Sequence, residues 1–170
     1  MKPNPLVALV MGSATDWPAV KPAAETLKRF DVPFEVRVLS AHRTPEEAAA
    51  FSRGAADRGL RILLAAAGSA AHLAGVLASH TTLPVIGIPV SGGALNGMDA
   101  LLATVQMPAG VPVATVAVGA GGPVNAALLA VEILALSNDR LCAALREHKS
   151  ALCKKVLEDD AKLQAEVSAL

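Results

Sequence analysis

The chain has 170 residues, about one domain's worth, enough to bury roughly two-thirds of the surface its unfolded form exposes and too few for a second large domain. Fifteen Lys and Arg balance fifteen Asp and Glu, so there is no accumulated positive field of the kind that holds phosphate backbones, and nucleic acid is not expected as a partner. Hydrophobic residues make up 53% of the chain but aromatics only 2%, so the core must be built from Ala, Val, Leu and Ile, and the surplus of apolar surface predicts a homo-oligomer.

Residues 6–11 form a short apolar run ended by Gly12, and a helix is expected from Trp17, with Asp16 as its cap and Pro18 in the first turn. Residues 34–39 form a second strand. The Ser40-Ala41-His42-Arg43 loop then leads to Thr44-Pro45-Glu46-Glu47, where Thr44 caps, Pro45 takes the first helical position and Glu47 completes a capping box. Residues 61–67 read as a third strand broken by Gly68 and Ser69, with a helix over 70–79; 84–90 read as a fourth, followed by Gly92-Gly93 and a helix from about Gly97. A fifth strand over 111–118, a turn at 119–122 and an Ala/Leu helix over 123–136 follow. Asn138 or Asp139 can cap a last helix running through Leu157 and beyond.

Strands apolar on both faces, each joined to the next by a helix, imply a parallel sheet with right-handed crossovers. The fold class is therefore α/β: a doubly wound, flavodoxin-like three-layer α/β/α sandwich with five parallel strands and an extra C-terminal helix. Residues 1–170 are expected to form one catalytic domain. Within it, 138–170 is a helical extension whose stripe of Leu141, Ala144, Leu145, Leu152, Val156 and Leu157 packs on a neighbouring subunit.

Apolar runs are interrupted before they reach the ~20 residues of a membrane span, and the first thirteen residues lack a signal-peptide layout, so a cytoplasmic protein with no membrane partner is expected. Cys142 and Cys153, eleven residues apart in one predicted helix, would lie about 16 Å from each other and cannot pair there. No CxxC or HExxH spacing occurs, and four scattered histidines do not make a metal site, so neither metal nor other cofactor is expected.

In open parallel sheets ligands bind beyond the carboxyl ends of the strands, here the loops 12–16, 40–44, 68–72, 91–97 and 119–122. Gly12 and Ser13 bring backbone amides and a hydroxyl to the start of a helix, an arrangement suited to phosphate, although an ordinary tight turn reads the same way. Ser40, His42 and Arg43 combine a hydroxyl, a group that titrates near neutrality and a phosphate-seeking guanidinium in one loop. The plainer alternatives are an Arg43 ion pair with Glu46 or Glu47 and a solvent-exposed His42. His72, just inside the third helix, is as readily a packed histidine as a proton carrier and ranks second to His42. His80 suits the end of that helix, and His148 lies away from these loops.

Four segments taken together resemble the PurE family of purine biosynthesis: Met11-Gly12-Ser13-Ala14-Thr15-Asp16-Trp17, Ser40-Ala41-His42-Arg43-Thr44-Pro45, Ala70-Ala71-His72-Leu73 and Val105-Gln106-Met107-Pro108. The likeness runs from about Leu6 to Leu136 and includes the Asn125-Ala126-Ala127-Leu128-Leu129-Ala130 run. Arg43 after the loop histidine and Ala71-His72 are similar to the N5-carboxyaminoimidazole ribonucleotide mutase branch rather than the carboxylase branch. The chain departs from the family at Thr15, Ser69 and Ala74, where Ser, a second Gly and Pro are usual.

The resemblance implies an enzyme, typically octameric and without ATP or metal, that moves a carboxyl group from the exocyclic nitrogen of an aminoimidazole ribonucleotide to its ring carbon. It implies His42 as the proton carrier, Ser13, Ser40 and Arg43 at the phosphate, Asp16 at the ribose, and Gly68, Ser69, His72 and Leu73 as further substrate contacts. Ala67, Gly68 and Ala71 are expected to form the water-poor pocket for released carbon dioxide. Two other readings stay open: direct carboxylation of aminoimidazole ribonucleotide by carbon dioxide, and a non-catalytic nucleotide- or flavin-binding module, the latter disfavoured by the absence of Tyr and the single Trp.

Overall fold

The computed structural model describes residues 4–170. Contacts divide the chain into two compact units, one through Ala130 and the other Val131–Leu170.

The first unit is built on a parallel sheet of β1 (Val7–Met11), β2 (Phe34–Val38), β3 (Ile62–Gly68), β4 (Val85–Val90) and β5 (Ala114–Thr115), in the spatial order β2-β1-β3-β4-β5. Leu9 is the centre of the register, opposite Val36 on one side and Leu64 on the other. Every residue of β1 and the first five of β3 are buried, as strands covered on both faces must be. Ala8, Val10, Leu63 and Ala65 share a cluster with Ala48 of α2 (Pro45–Arg53) and with Leu73, Ala74 and Leu77 of α3 (Leu73–Ala78). The alternate residues Val7, Leu9, Met11, Ile62, Leu64 and Ala66, which face the other side, are buried as well. A polar tie joins two of the covering helices, since the buried Ser52 hydroxyl donates to the Leu77 carbonyl at 2.7 Å. The fold is thus the doubly wound, flavodoxin-like arrangement that the strand-helix alternation predicts.

α1 (Trp17–Arg29) carries Pro18 in its first turn, turns Val20, Ala23, Ala24 and Leu27 inward, and ends on Lys28 and Arg29, charges that suit a helix C-terminus. α4 (Met98–Val105) begins at Gly97, whose φ of +89° places it in the left-handed region; a Cβ there would also press on Val118 Cγ1 at 2.7 Å, so only glycine fits. α5 spans Gly121–Ala135.

The second unit holds the end of α5 and α6 (Asp139–Ser168). Asn138, rather than Asp139, is the cap, accepting from the Leu141 amide at 3.1 Å. Leu141 and Leu145 are buried, while Leu152, Val156, Leu157, Leu163 and Val167 are each more than half exposed. Both cysteines are free thiols on this helix. Among the described residues no helix is long and apolar enough to cross a membrane.

Four expectations are corrected. The fifth strand is two residues, not eight: Pro112 has no N–H to offer, and beyond Thr115 one further bond, Val116 N–H to Gly87 C=O at 3.1 Å, continues the ladder. The third helix starts at Leu73 rather than Ala70, because Ser69 takes a φ of +52° and residues 69–72 close as tight turns, leaving His72 at the cap position. Asp16 stands at the N-cap position of α1 as expected, but its side chain makes no capping hydrogen bond; the Ser13 side chain instead caps a single 3-10 turn at Ala14–Asp16 that precedes the helix. Thr44 caps nothing with its side chain, and its amide bonds Ser40 C=O rather than Glu47, so the capping box does not form.

Candidate active site

The chain leaves β1 for β2 on one side and later returns to place β3 on the other, so the strand order reverses between β1 and β3. At such a reversal the loops splay apart and leave a crevice at the carboxyl ends of the strands. There a cavity of about 360 Å³ is lined by Gly12, Ser13 and Asp16 after β1, Ser40 to Arg43 after β2, Ala67 and Gly68 at the end of β3, and Ser69, Ala70 and Leu73 beyond it.

The loop after β2 is tied by one hydroxyl. Ser40 Oγ accepts from the amides of His42 (3.3 Å) and Arg43 (3.1 Å) and from Arg43 Nε (3.5 Å), while the Ser40 amide donates to Thr44 Oγ1 at 2.9 Å. Arg43 Nη2 crosses to the Gly12 carbonyl at 2.7 Å, binding the second loop to the first. In that first loop Ser13 Oγ accepts from the Thr15 amide (3.3 Å) and hydroxyl (2.7 Å). The Ser13 and Ser40 hydroxyls act in these bonds only as acceptors, so the hydroxyl proton of each is left to donate to an anion.

Asp16 is half-buried against this wall. Desolvation raises its carboxyl above the ordinary aspartate value, while a backbone hydrogen bond at Ser13 and the Arg43 guanidinium pull the other way. Freed from the capping duty, its carboxylate can accept hydroxyl hydrogen bonds from a ligand.

His42 Nε2 lies 2.8 Å from His72 Nδ1, with the rings edge to face at 87° and their centroids 5.0 Å apart. Among the described residues no group of three or more His, Cys, Asp or Glu is placed to share a metal ion.

Of the nine residues singled out in the sequence, Ser13, Asp16, Ser40, His42, Arg43, Gly68, Ser69 and Leu73 line this one cavity, and His72 reaches it through His42. Ala67 and Gly68 line it too, but Ala71 does not: it is 1% exposed, turned into the core, and Ala70 stands at the cavity instead. Ala41 and Ala70 were not legible as lining residues, since a small apolar side chain carries no chemical signal. The pairing of two histidines thirty residues apart follows from β1 lying between β2 and β3, which sequence spacing does not reveal.

A family model described as AIR carboxylase matches residues 6–155. The chain belongs to the AIR carboxylase family. It is 53% identical over 161 residues to an N5-carboxyaminoimidazole ribonucleotide mutase of Mycobacterium tuberculosis, covering 95% of this chain and 91% of that one. It is 48% identical over 160 residues to the enzyme of the same description from Bacillus subtilis, covering 94% and 99%. A crystal structure of Treponema denticola PurE superposes with a TM-score of 0.84 at 30% identity, covering 94% of this chain and 98% of that one. As an AIR carboxylase family member, the chain carries its candidate site in the part that the family model spans.

Proposed function

We propose that the chain is an isomerase of purine biosynthesis. It converts N5-carboxyaminoimidazole ribonucleotide to 4-carboxyaminoimidazole ribonucleotide on the route to IMP, by decarboxylation and recarboxylation with His42 as the proton carrier. The observation that carries the reading is the convergence of His42, Arg43, two donor-ready serines and Asp16 on one cavity at the reversal of strand order. The mutase relatives at about half identity support the same assignment.

The chemistry follows from the residues. The N–CO₂ bond breaks with its electron pair left on nitrogen, which takes a proton from the imidazolium of His42. Ring carbon then attacks the released carbon dioxide, and the proton on the new tetrahedral carbon returns to the neutral imidazole. One histidine serves both steps, and no net proton is gained or lost. Ser13, Ser40 and Arg43 hold the phosphate, Asp16 the ribose hydroxyls, and Gly68, Ser69 and Leu73 surround the base, with His72 behind His42. Ala67, Gly68 and Ala70 form a close apolar wall that keeps carbon dioxide beside the ring.

The test is conversion of the N-carboxylated to the C-carboxylated ribonucleotide without ATP, metal or added bicarbonate. The intact protein is expected to be active, and His42→Asn to lose about 10²- to 10⁴-fold in kcat. Product formation by the intact protein only with bicarbonate would replace this reading with direct carboxylation, the activity after which the family model is described.

The reading extends to the assembly. The described residues, 4–170, serve as a single catalytic domain, and 138–170 pack on neighbouring copies in an octamer in the cytoplasm. Exposed Leu152, Val156, Leu157, Leu163 and Val167 on α6 and Met98, Leu102 and Val105 on α4 supply apolar surface for such contacts. Native mass spectrometry checks the octamer, and a monomer at micromolar concentration would rule it out.

A further inference from the structure

The mutase reading asks one nitrogen of His42 to release a proton and later take one back, and the histidine pair shows how that nitrogen is chosen. This inference rests on that reading. After giving its proton to the substrate nitrogen, His42 is neutral and keeps a single N–H. For the same nitrogen to accept from carbon it must then be bare, so the remaining proton has to sit on the other one.

Nε2 is the nitrogen engaged by His72 Nδ1, at 2.8 Å, with the rings at 87°. A bridge of that length needs one donor and one acceptor, so two doubly protonated rings cannot form it. If His72 donated, neutral His42 would carry its proton on Nδ1 and have no base to offer there. If His42 donates, Nδ1 is protonated in the imidazolium and bare in the neutral ring, and the bridge stays intact through both steps.

We infer that His72, as its Nε2–H tautomer, accepts a hydrogen bond from His42 Nε2–H and is the positioning residue that reserves His42 Nδ1 for the travelling proton. The step balances: the Nδ1 proton goes to nitrogen as the N–C bond breaks, and the carbon-bound proton returns to Nδ1 after the C–C bond forms. Asp16 and Arg43 are the other ionisable groups lining the cavity. Arg43 is committed to Gly12 and Ser40, so the tautomer rests on His72.

Two variants and one spectrum test this. Asn at position 72 keeps an acceptor oxygen near the place of Nδ1, whereas Phe keeps the ring without it. His72→Phe should lose about 10- to 100-fold in kcat with KM little changed, and His72→Asn, which restores the acceptor, should recover about 10-fold of that loss. In ligand-free, ¹⁵N-histidine-labelled protein at a pH where both rings are neutral, His42 should show a protonated Nε2 and a bare Nδ1, and His72 a bare Nδ1. Parent-like kcat in His72→Phe, a change confined to KM, or a protonated His72 Nδ1 would overturn the inference. Failure of the intact protein to turn over the carbamate would instead overturn the mutase reading, and the spectrum would still decide the tautomers.

Discussion

Gly87 lies in the middle of β4, paired with Ala65 of β3 and Thr115 of β5, where α4 approaches the sheet closely. A Cβ at this position would overlap the Thr104 methyl and lie 3.1 Å from Val113 Cγ1 and 3.4 Å from Ala74 Cβ. Thr104 is 2% exposed, and its hydroxyl is held by the Ala100 carbonyl at 2.7 Å, so the methyl cannot swing aside without breaking a buried hydrogen bond. Overpacking of this kind costs about 1–3 kcal/mol, against about 0.5–1 kcal/mol gained by restricting the unfolded chain, so Gly87→Ala should lose about 1–2 kcal/mol. Thr104→Ser keeps the hydroxyl, deletes the colliding methyl and should cost about 1 kcal/mol alone. Together they should not add: the new methyl occupies the vacated volume, so the double variant should be about as stable as Thr104→Ser. Urea unfolding of the four proteins at one fixed concentration measures the coupling. A double variant that loses the full sum would refute the packing argument.

Two further predictions concern the site itself. Burial raises the Asp16 carboxyl, so its ionised form costs stability above its folded pKa, and that cost vanishes below the ordinary aspartate range; Asp16→Asn should therefore raise Tm at pH 7, gain less as the pH approaches 3, and weaken substrate affinity. A Tm gain independent of pH would show that the charge is not responsible. Ser69→Gly removes a side chain from a φ of +52° and should stabilise by up to about 1 kcal/mol, read as a higher Tm, whereas a lower Tm would mean that the serine's contacts outweigh the strain.

β1, β3 and β4 were legible because a strand buried on both faces must be continuously apolar, and Val, Leu, Ile and Ala leave few other readings, whereas the edge strand β2 was legible from the alternation of apolar and charged residues in Phe34–Val38. β5 was not, since 111–118 carries the same composition but begins beside Pro112 and pairs on one side only. The caps misled for a different reason. Asp16 and Thr44 have the right side chains at the right offsets, yet Thr44 Oγ1 spends its bonds on Ser40 and Asp16 faces the cavity. The residue types around the site were visible; what each one touches depends on strand order, which brings loops from three separate segments together.

That ordering also explains why Arg43 matters beyond its charge. Its guanidinium reaches the Gly12 carbonyl and lies against Ser40 Oγ, so the two loops that carry the donor-ready hydroxyls are braced before any anion arrives. A lysine would keep the charge but could not bridge both partners with a planar fork. Less of the binding energy then has to be spent on ordering the loops, and under the proposed function more remains for holding the base against His42.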